Sequence, residues 1–297
     1  MAQAPARLPK RMIILVTTSQ SLLTVDIESG ETAVAHRGQG LYYGIAYSND
    51  EIFVAARGRP VSPKEERATE AGSILVFDYA LNLKRTLRPT FALRDMHQIV
   101  YYDGCLWVTC AYDDRVAIYD GDAWRGWHPA PVSSEPDTFH FNSIIFADDH
   151  LFLLAHNNGA SDIWKFAYPE LRLIEKMSLG NLSHNIWKED GVFFTCSSGE
   201  GRILSSAGLD VPTGGFPRGI VVCPGAIVVG VSESVERDER DFTSSALHVF
   251  DSNWNFQKEI KLPTEGLVLE IRAPGFADIC SSNSRGQRIA LPSTEAI

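Results

Sequence analysis

The sequence predicts an all-β fold, a six-bladed β-propeller closed by its N- and C-terminal strands, and three observations carry that expectation. A short motif ending in isoleucine recurs along the chain: Tyr42-Tyr43-Gly44-Ile45, Met96-His97-Gln98-Ile99, Phe139-His140-Phe141-Asn142-Ser143-Ile144, Ser183-His184-Asn185-Ile186, Pro217-Arg218-Gly219-Ile220 and, most degenerate, Val268-Leu269-Glu270-Ile271. No window of a dozen residues holds apolar positions at helical spacing, and the apolar runs are short, β-branched and aromatic. Those runs are broken by Asp-Gly, Asp-Asp, Pro-Gly and Ser-Gly pairs, the turn chemistry of antiparallel strands.

Each motif opens a unit of strands. The first unit reads 44–47, a turn at Asn49-Asp50, then 52–55, 73–78 and 83–87. The second reads 98–102, 106–109, 116–120 and 124–127, and the third 143–146, 151–155, 163–166 and 171–176. A shorter fourth unit reads 185–188, 192–196 and 203–206, and the fifth reads 219–222, 226–229, 247–251 and 256–260. Four-stranded repeats of roughly 35 to 55 residues are the signature of a propeller. Residues 267–273 read as one more innermost strand, while 13–16, 22–27 and 32–36 read as the outer strands of a unit that lacks one. Joining the two ends completes a sixth blade and removes an open sheet edge. Residues 277–281 compete with 13–16 for the second-strand place, so five or seven blades stay open as alternatives.

A chain of 297 residues with 44% hydrophobic content can bury one large core, and residues 1–297 are expected to form a single domain. Residues 1–11 are expected to be a flexible start and 284–297 a polar tail. The formal charge of −10, with no basic run, argues against nucleic acid and anionic membranes as partners. The apolar run Ile13-Ile14-Leu15-Val16 is too short for a signal segment or a membrane span. Five cysteines without CxxC spacing read as buried free thiols in a reducing compartment, so a cytoplasmic location is expected.

The candidate chemistry lies on the innermost strands, which surround the central channel. Two residues before the repeated isoleucine stand Tyr43, His97, Asn142, His184, Arg218 and Leu269, with His140 two residues further back. One histidine at such a place is ordinarily a hydrogen-bonded structural residue. Three in consecutive blades are expected to converge as a metal site of His97, His140 and His184, with open positions for water or substrate. Iron, copper or zinc suits imidazole ligands. Asn142, Gln98 and Glu270 are candidates for a fourth ligand or for partners that fix the imidazole tautomers. Arg218 suits a carboxylate or phosphate on a small-molecule substrate, with a structural ion pair as the alternative. Tyr43 is either a substrate contact or channel packing. His156, which ends a second strand on the same face, is the best of the remaining histidines. Two charged insertions, 59–71 and 233–245, overhang that face as solvated loops or as a lid. Nucleophile-elbow, phosphate-loop, HExxH and dinucleotide motifs are absent from the sequence.

These motifs, with Gly215-Phe216-Pro217-Arg218-Gly219 as the most specific, resemble an uncharacterised bacterial β-propeller family of conserved hypothetical proteins, over roughly residues 90–280. The resemblance implies a propeller and directs attention to His97, His140, His184 and Arg218, without supplying an activity. A fainter similarity is to the six-bladed lactonase and phosphotriesterase group, whose repeats read Pro-x-Gly-Ile and whose hard cation is held by carboxylates and Asn. The expectation is a metal-dependent enzyme acting on a small anionic molecule by oxidative or hydrolytic/lyase chemistry, with Arg218, Tyr43 and Glu270 as catalytic candidates. The alternatives are a calcium-dependent lactonase-like hydrolase using Glu270 and Asn142, and a non-catalytic propeller that binds a protein.

Overall fold

The structure, a computed structural model, describes residues 12–274. It contains six four-stranded antiparallel sheets arranged as the six blades of a propeller. The innermost strands of blades one to five are Tyr42–Tyr47, Met96–Tyr102, Phe141–Ala147, Ser183–Glu189 and Phe216–Cys223. Blade six takes its innermost strand, Val268–Arg272, from the end of the chain and its outer three, Ile13–Thr18, Ser21–Asp26 and Thr32–Arg37, from the start. Val16 pairs with Ile271 across that seam, so 13–16 takes the second-strand place. The competing stretch 277–281, and the expected termini 1–11 and 284–297, lie outside the described residues. Blade four is not short of a strand: Asp210–Pro212 pairs with Arg202–Ser205 as its fourth. Three residues carry too little alternation to read as a strand in the sequence.

The six repeat isoleucines, Ile45, Ile99, Ile144, Ile186, Ile220 and Ile271, are all fully buried. They anchor the innermost strands between neighbouring blades, which explains why the motif ends on one apolar, β-branched residue. Just before each of them the ladder to the neighbouring strand slips, between Tyr42 and Ile45, Met96 and Ile99, Phe141 and Ser143, His184 and Ile186, Arg218 and Ile220, and across Leu269. Such bulges bend the strand and re-aim side chains. In blades two, three and four they put two polar residues in succession at the channel, His97-Gln98, Asn142-Ser143 and His184-Asn185, where strict alternation would put one.

The residues immediately before the isoleucines use this to stitch blade to blade. Gln98 Oε1 accepts from Ile144 N–H at 2.7 Å, Ser143 Oγ from Ile186 N–H at 2.9 Å, and Asn185 Oδ1 from Gly219 N–H at 2.8 Å. Glu270 closes the circle by accepting from Gln98 Nε2 at 3.3 Å, Asn185 Nδ2 at 3.1 Å and Arg272 Nη1 at 2.6 Å. Blade one has Gly44 at this place because a Cβ there would lie 2.4 Å from the Ile99 nitrogen.

Candidate metal centre

One step nearer the start of the same strands at His97 and His184, just before the innermost strand of blade three at His140, and just after its second strand at His156, four histidines form a ring. His97 from blade two, His140 and His156 from blade three and His184 from blade four have successive ring centres 4.9, 4.6, 5.1 and 5.9 Å apart. All four are buried. Tyr43 packs edge-on against His97 at 4.7 Å, and Arg218 from blade five completes the circle.

The partners of each imidazole decide what it can bind. His140 Nδ1 donates to Asp137 Oδ1 at 2.5 Å, which leaves the lone pair on Nε2 and no partner for it among the described residues. A carboxylate behind a histidine is the arrangement that orients metal-ligating imidazoles. His97 has Asp95 Oδ1 3.5 Å from its Nε2. His184 donates from Nδ1 to Ser198 Oγ at 2.9 Å, and that hydroxyl donates onward to Pro217 O at 2.6 Å, so the Nε2 lone pair faces the Arg218 guanidinium that donates to it. His156 Nδ1 accepts from Asn158 N–H at 3.2 Å, so its proton sits on Nε2.

The acidic members come from the turns just before the strands. Asp95 and Asp137 stand two and three residues ahead of His97 and His140, and Asp95, Asp137 and His140 all adopt left-handed φ values of 51°, 63° and 52°. L-residues seldom hold that conformation, and it clusters at functional sites. Asp114 clamps the approach to blade three by accepting from Thr138, Phe139 and His140 N–H groups. Asp95, His97 and His140 offer donor atoms within 4.8 Å of one another and can hold a metal ion. Two imidazoles on one ion, with metal–nitrogen bonds near 2.1 Å, place their ring centres about 5 Å apart. His97 and His140 stand at 4.9 Å.

The two insertions form a cap in contact with this ring. From the first, Arg67 bridges Asp95 at 2.7 Å and Asp137 at 2.8 Å, while Glu70 holds Arg57 at 2.6 Å and Arg59 at 2.7 Å. Arg57 also pairs with Asp95 at 2.6 Å. The insertions touch each other where Val61 N–H donates to Asp241 Oδ1 at 2.8 Å and Arg237 Nη2 to Val61 O at 3.2 Å. They are tied to each other and, through Arg67, to Asp95 and Asp137, and are not free loops.

Burial sets the protonation states. It pulls His97 down to about 3 and His156 to about 2, the latter helped by His140 and Arg218, and holds His184 well below its usual value beside Arg218. These rings are neutral near pH 7, as ligation requires. Burial pushes Asp95 up, but Arg57 and His97 outweigh it and hold the carboxyl well below its usual range. Asp137 is held down against burial by the His140 hydrogen bond and Arg67.

The predicted His97, His140 and His184 do converge, and His156 joins them. The metal-capable trio, however, contains Asp95 in place of His184, whose lone pair is engaged by Arg218. Glu270 and Gln98 belong to the stitched layer below, and Glu270 is paired with Arg272, so a hard cation there would displace a guanidinium. Asn142 donates from Nδ2 to Ser183 O at 2.9 Å, and its Oδ1 is without a partner among the described residues. It lines a cavity of about 10 Å³ between the two layers, room for one water. Asp95, Asp137, Arg57, Arg67 and Glu70 escaped the sequence reading, although the Asp-x-His and Asp-x-x-His spacings were a visible signal.

No family model matches the chain, and no curated protein does. Among solved structures, a chain of a nidogen/laminin complex aligns with TM-score 0.63 at 10% identity, covering 88% of this chain and 97% of that one. A protein of unknown function from Bacteroides caccae aligns with TM-score 0.63 at 10% identity, covering 88% and 98%. At that identity the likeness establishes the propeller fold alone. Among the described residues, no helix is long and apolar enough to cross a membrane.

Proposed function

We propose that the protein is a metal-dependent enzyme that holds a transition metal on Asp95, His97 and His140 and acts on a small anionic molecule at the channel mouth. The observation that carries this reading is the buried trio whose donor atoms lie within 4.8 Å of one another, with His140 oriented by Asp137. A carboxylate has about four lone-pair sites, so the contacts of Asp95 with Arg57 and Arg67 leave about two, on the side where His97 Nε2 stands 3.5 Å from Oδ1. Two imidazoles and one carboxylate with open positions favour iron over copper or zinc, and such an ion supplies redox or Lewis-acid chemistry to whatever reaches those positions. Arg218 meets the substrate's negative group, His184 aims Arg218, Tyr43 packs beside both, and the neutral His156 Nε2–H is a donor or proton carrier at the rim. The cap excludes water.

Metal analysis of untagged protein tests this. About one iron, copper or zinc per chain is expected in the wild type and in His184→Ala, and loss of the metal in His140→Ala with the circular dichroism unchanged. A wild type that neither carries nor takes up a transition metal overturns the reading, and bound calcium retained in His140→Ala favours the lactonase-like alternative.

A further inference from the structure

The cap is charge-balanced on one side of the mouth only. On the blade-one side, Arg57, Arg59 and Arg67 are matched by Glu70, Asp95 and Asp137, in contacts of 2.6 to 2.8 Å. On the blade-five side stand Arg218, Arg237 and Arg240, and none has a carboxylate within ion-pair distance among the described residues. Arg218 donates to His184 Nε2 and lies 5.9 Å from the Tyr43 ring centre and 5.4 Å from that of Phe216. Arg240 lies 5.9 Å from the same Phe216 ring, and its Nε donates to Val235 O. Arg237 gives one Nη2–H to Val61 O.

Two features show that these guanidiniums are short of acceptors. Among the described residues the Nε groups of Arg218 and Arg237 are buried without a partner, as are Arg59 Nη2 and Arg67 Nε across the mouth. But Arg218, only 7% exposed, has just the neutral side chains of His184 and Tyr43 as partners in place of a carboxylate. A guanidinium keeps its charge in any protein setting, so a buried one calls for a counter-ion. Burial accordingly pulls Arg218 and Arg237 below the usual arginine value. Asp241, the buried acid of this insertion, is turned to Val61 N–H and offsets one of the three charges. Glu233, Glu236, Asp238 and Glu239 are exposed, where water screens them, whereas Arg237 and Arg240 are half-buried. Two positive charges are left over, in a protein whose formal net charge is −10.

We propose that Arg218, Arg237 and Arg240 form a binding site for a doubly charged oxyanion, of the phosphate-monoester type, between blade five and its insertion. The ligand is the substrate's own phosphate group or free phosphate, since both present the same oxygens to the same forks. This deepens the preceding reading, where Arg218 alone meets the anion, and rests on it for taking the occupant as substrate. It also accounts for the insertion, because Arg237 and Arg240 reach the mouth only with the cap in place, so an anion bound there holds the cap shut.

Calorimetric and thermal titration of the full, untagged chain with inorganic phosphate tests the proposal, with acetate at equal ionic strength as the singly charged probe. Phosphate is expected to bind and raise the melting temperature, with acetate at least about tenfold weaker. In the double variant Arg237→Met, Arg240→Met the phosphate affinity falls about tenfold or more, while the melting temperature without phosphate stays level or rises because like charges are removed. Arg85→Met, at an exposed pair with Glu51 far from the mouth, leaves phosphate binding unchanged. No phosphate binding at about 10 mM, full binding in the double variant, or acetate as tight as phosphate overturns the proposal. Metal content read on the same samples separates the two readings: metal without phosphate binding removes this one alone, and phosphate binding without metal removes the other alone.

Discussion

The channel carries two polar rings, both buried, one above the other near the entry to the innermost strands. In the lower ring, Gln98, Ser143, Asn185 and Glu270 commit their polar atoms to each other and to neighbouring backbone N–H groups. In the upper ring, His140 keeps a lone pair, His184 turns one to Arg218, and Arg218 has no carboxylate among the described residues. Burial and polarity therefore do not distinguish a functional residue from a structural one at this axis. Whether the hydrogen-bonding capacity is used up does, because a buried polar group left unsatisfied is costly and persists only with a reason.

The largest effect that can break this comparison is Glu270→Ala. It takes from Arg272, 1% exposed, the carboxylate at 2.6 Å, and removes an acceptor for Gln98 and Asn185. A loss of about 3–5 kcal/mol in urea unfolding is expected. If Glu270→Ala is as stable as wild type but loses its metal, the lower ring is part of the site and the distinction fails.

The upper ring should announce itself through pH. His97 and His156 titrate near 3 and 2 when folded but near 6.5 when unfolded, so below pH 6.5 the unfolded chain binds protons that the native one refuses. Metal-free protein should accordingly be most stable above pH 6.5 and lose stability as the pH falls toward 3, by about 1.4 kcal/mol per pH unit for each such histidine. His156→Gln should flatten that slope by about one proton in denaturant titrations between pH 6 and 4. An unchanged slope would mean that His156 is open to water.

The smallest effect sharpens the boundary. Ser198→Ala removes the acceptor of His184 Nδ1–H and the donor to Pro217 O. About 1 kcal/mol of stability should go, with metal content intact, because Ser198 sets the tautomer of His184 and not of the Asp95–His97–His140 trio. Loss of metal in Ser198→Ala would return His184 to the ligand set.

Much of this was legible in the sequence. The isoleucine repeat gives six blades because it marks the one residue per blade that must be apolar and buried, and the histidines converge because equivalent places in a propeller share an axis. What could not be read is which of two successive channel residues does what. A bulge turns both His97 and Gln98 inward, so period-two alternation gives no guide, and Glu270 looked as functional as Arg218 until its partner Arg272 was in place. Asp95 and Asp137 lie on turns with left-handed backbone, outside any strand register. Arg57, Arg67 and Glu70 come together only when the end of a second strand and an insertion of no regular pattern fold over the mouth.

The seam of blade six bears on how the molecule comes into being. Glu270, which ties Gln98 to Asn185, sits on the last described strand, and that strand pairs with Ile13–Thr18, some of the first residues described. On a ribosome, blades one to five can form their local hairpins early, but the inner circle has no closing member until Val268–Arg272 emerges. Until then the strand Ile13–Thr18 presents an unpaired edge, the kind of surface on which nascent chains join one another. Closure of the channel thus waits for that last strand, and the protein acquires its polar centre only at the moment it loses this sticky edge.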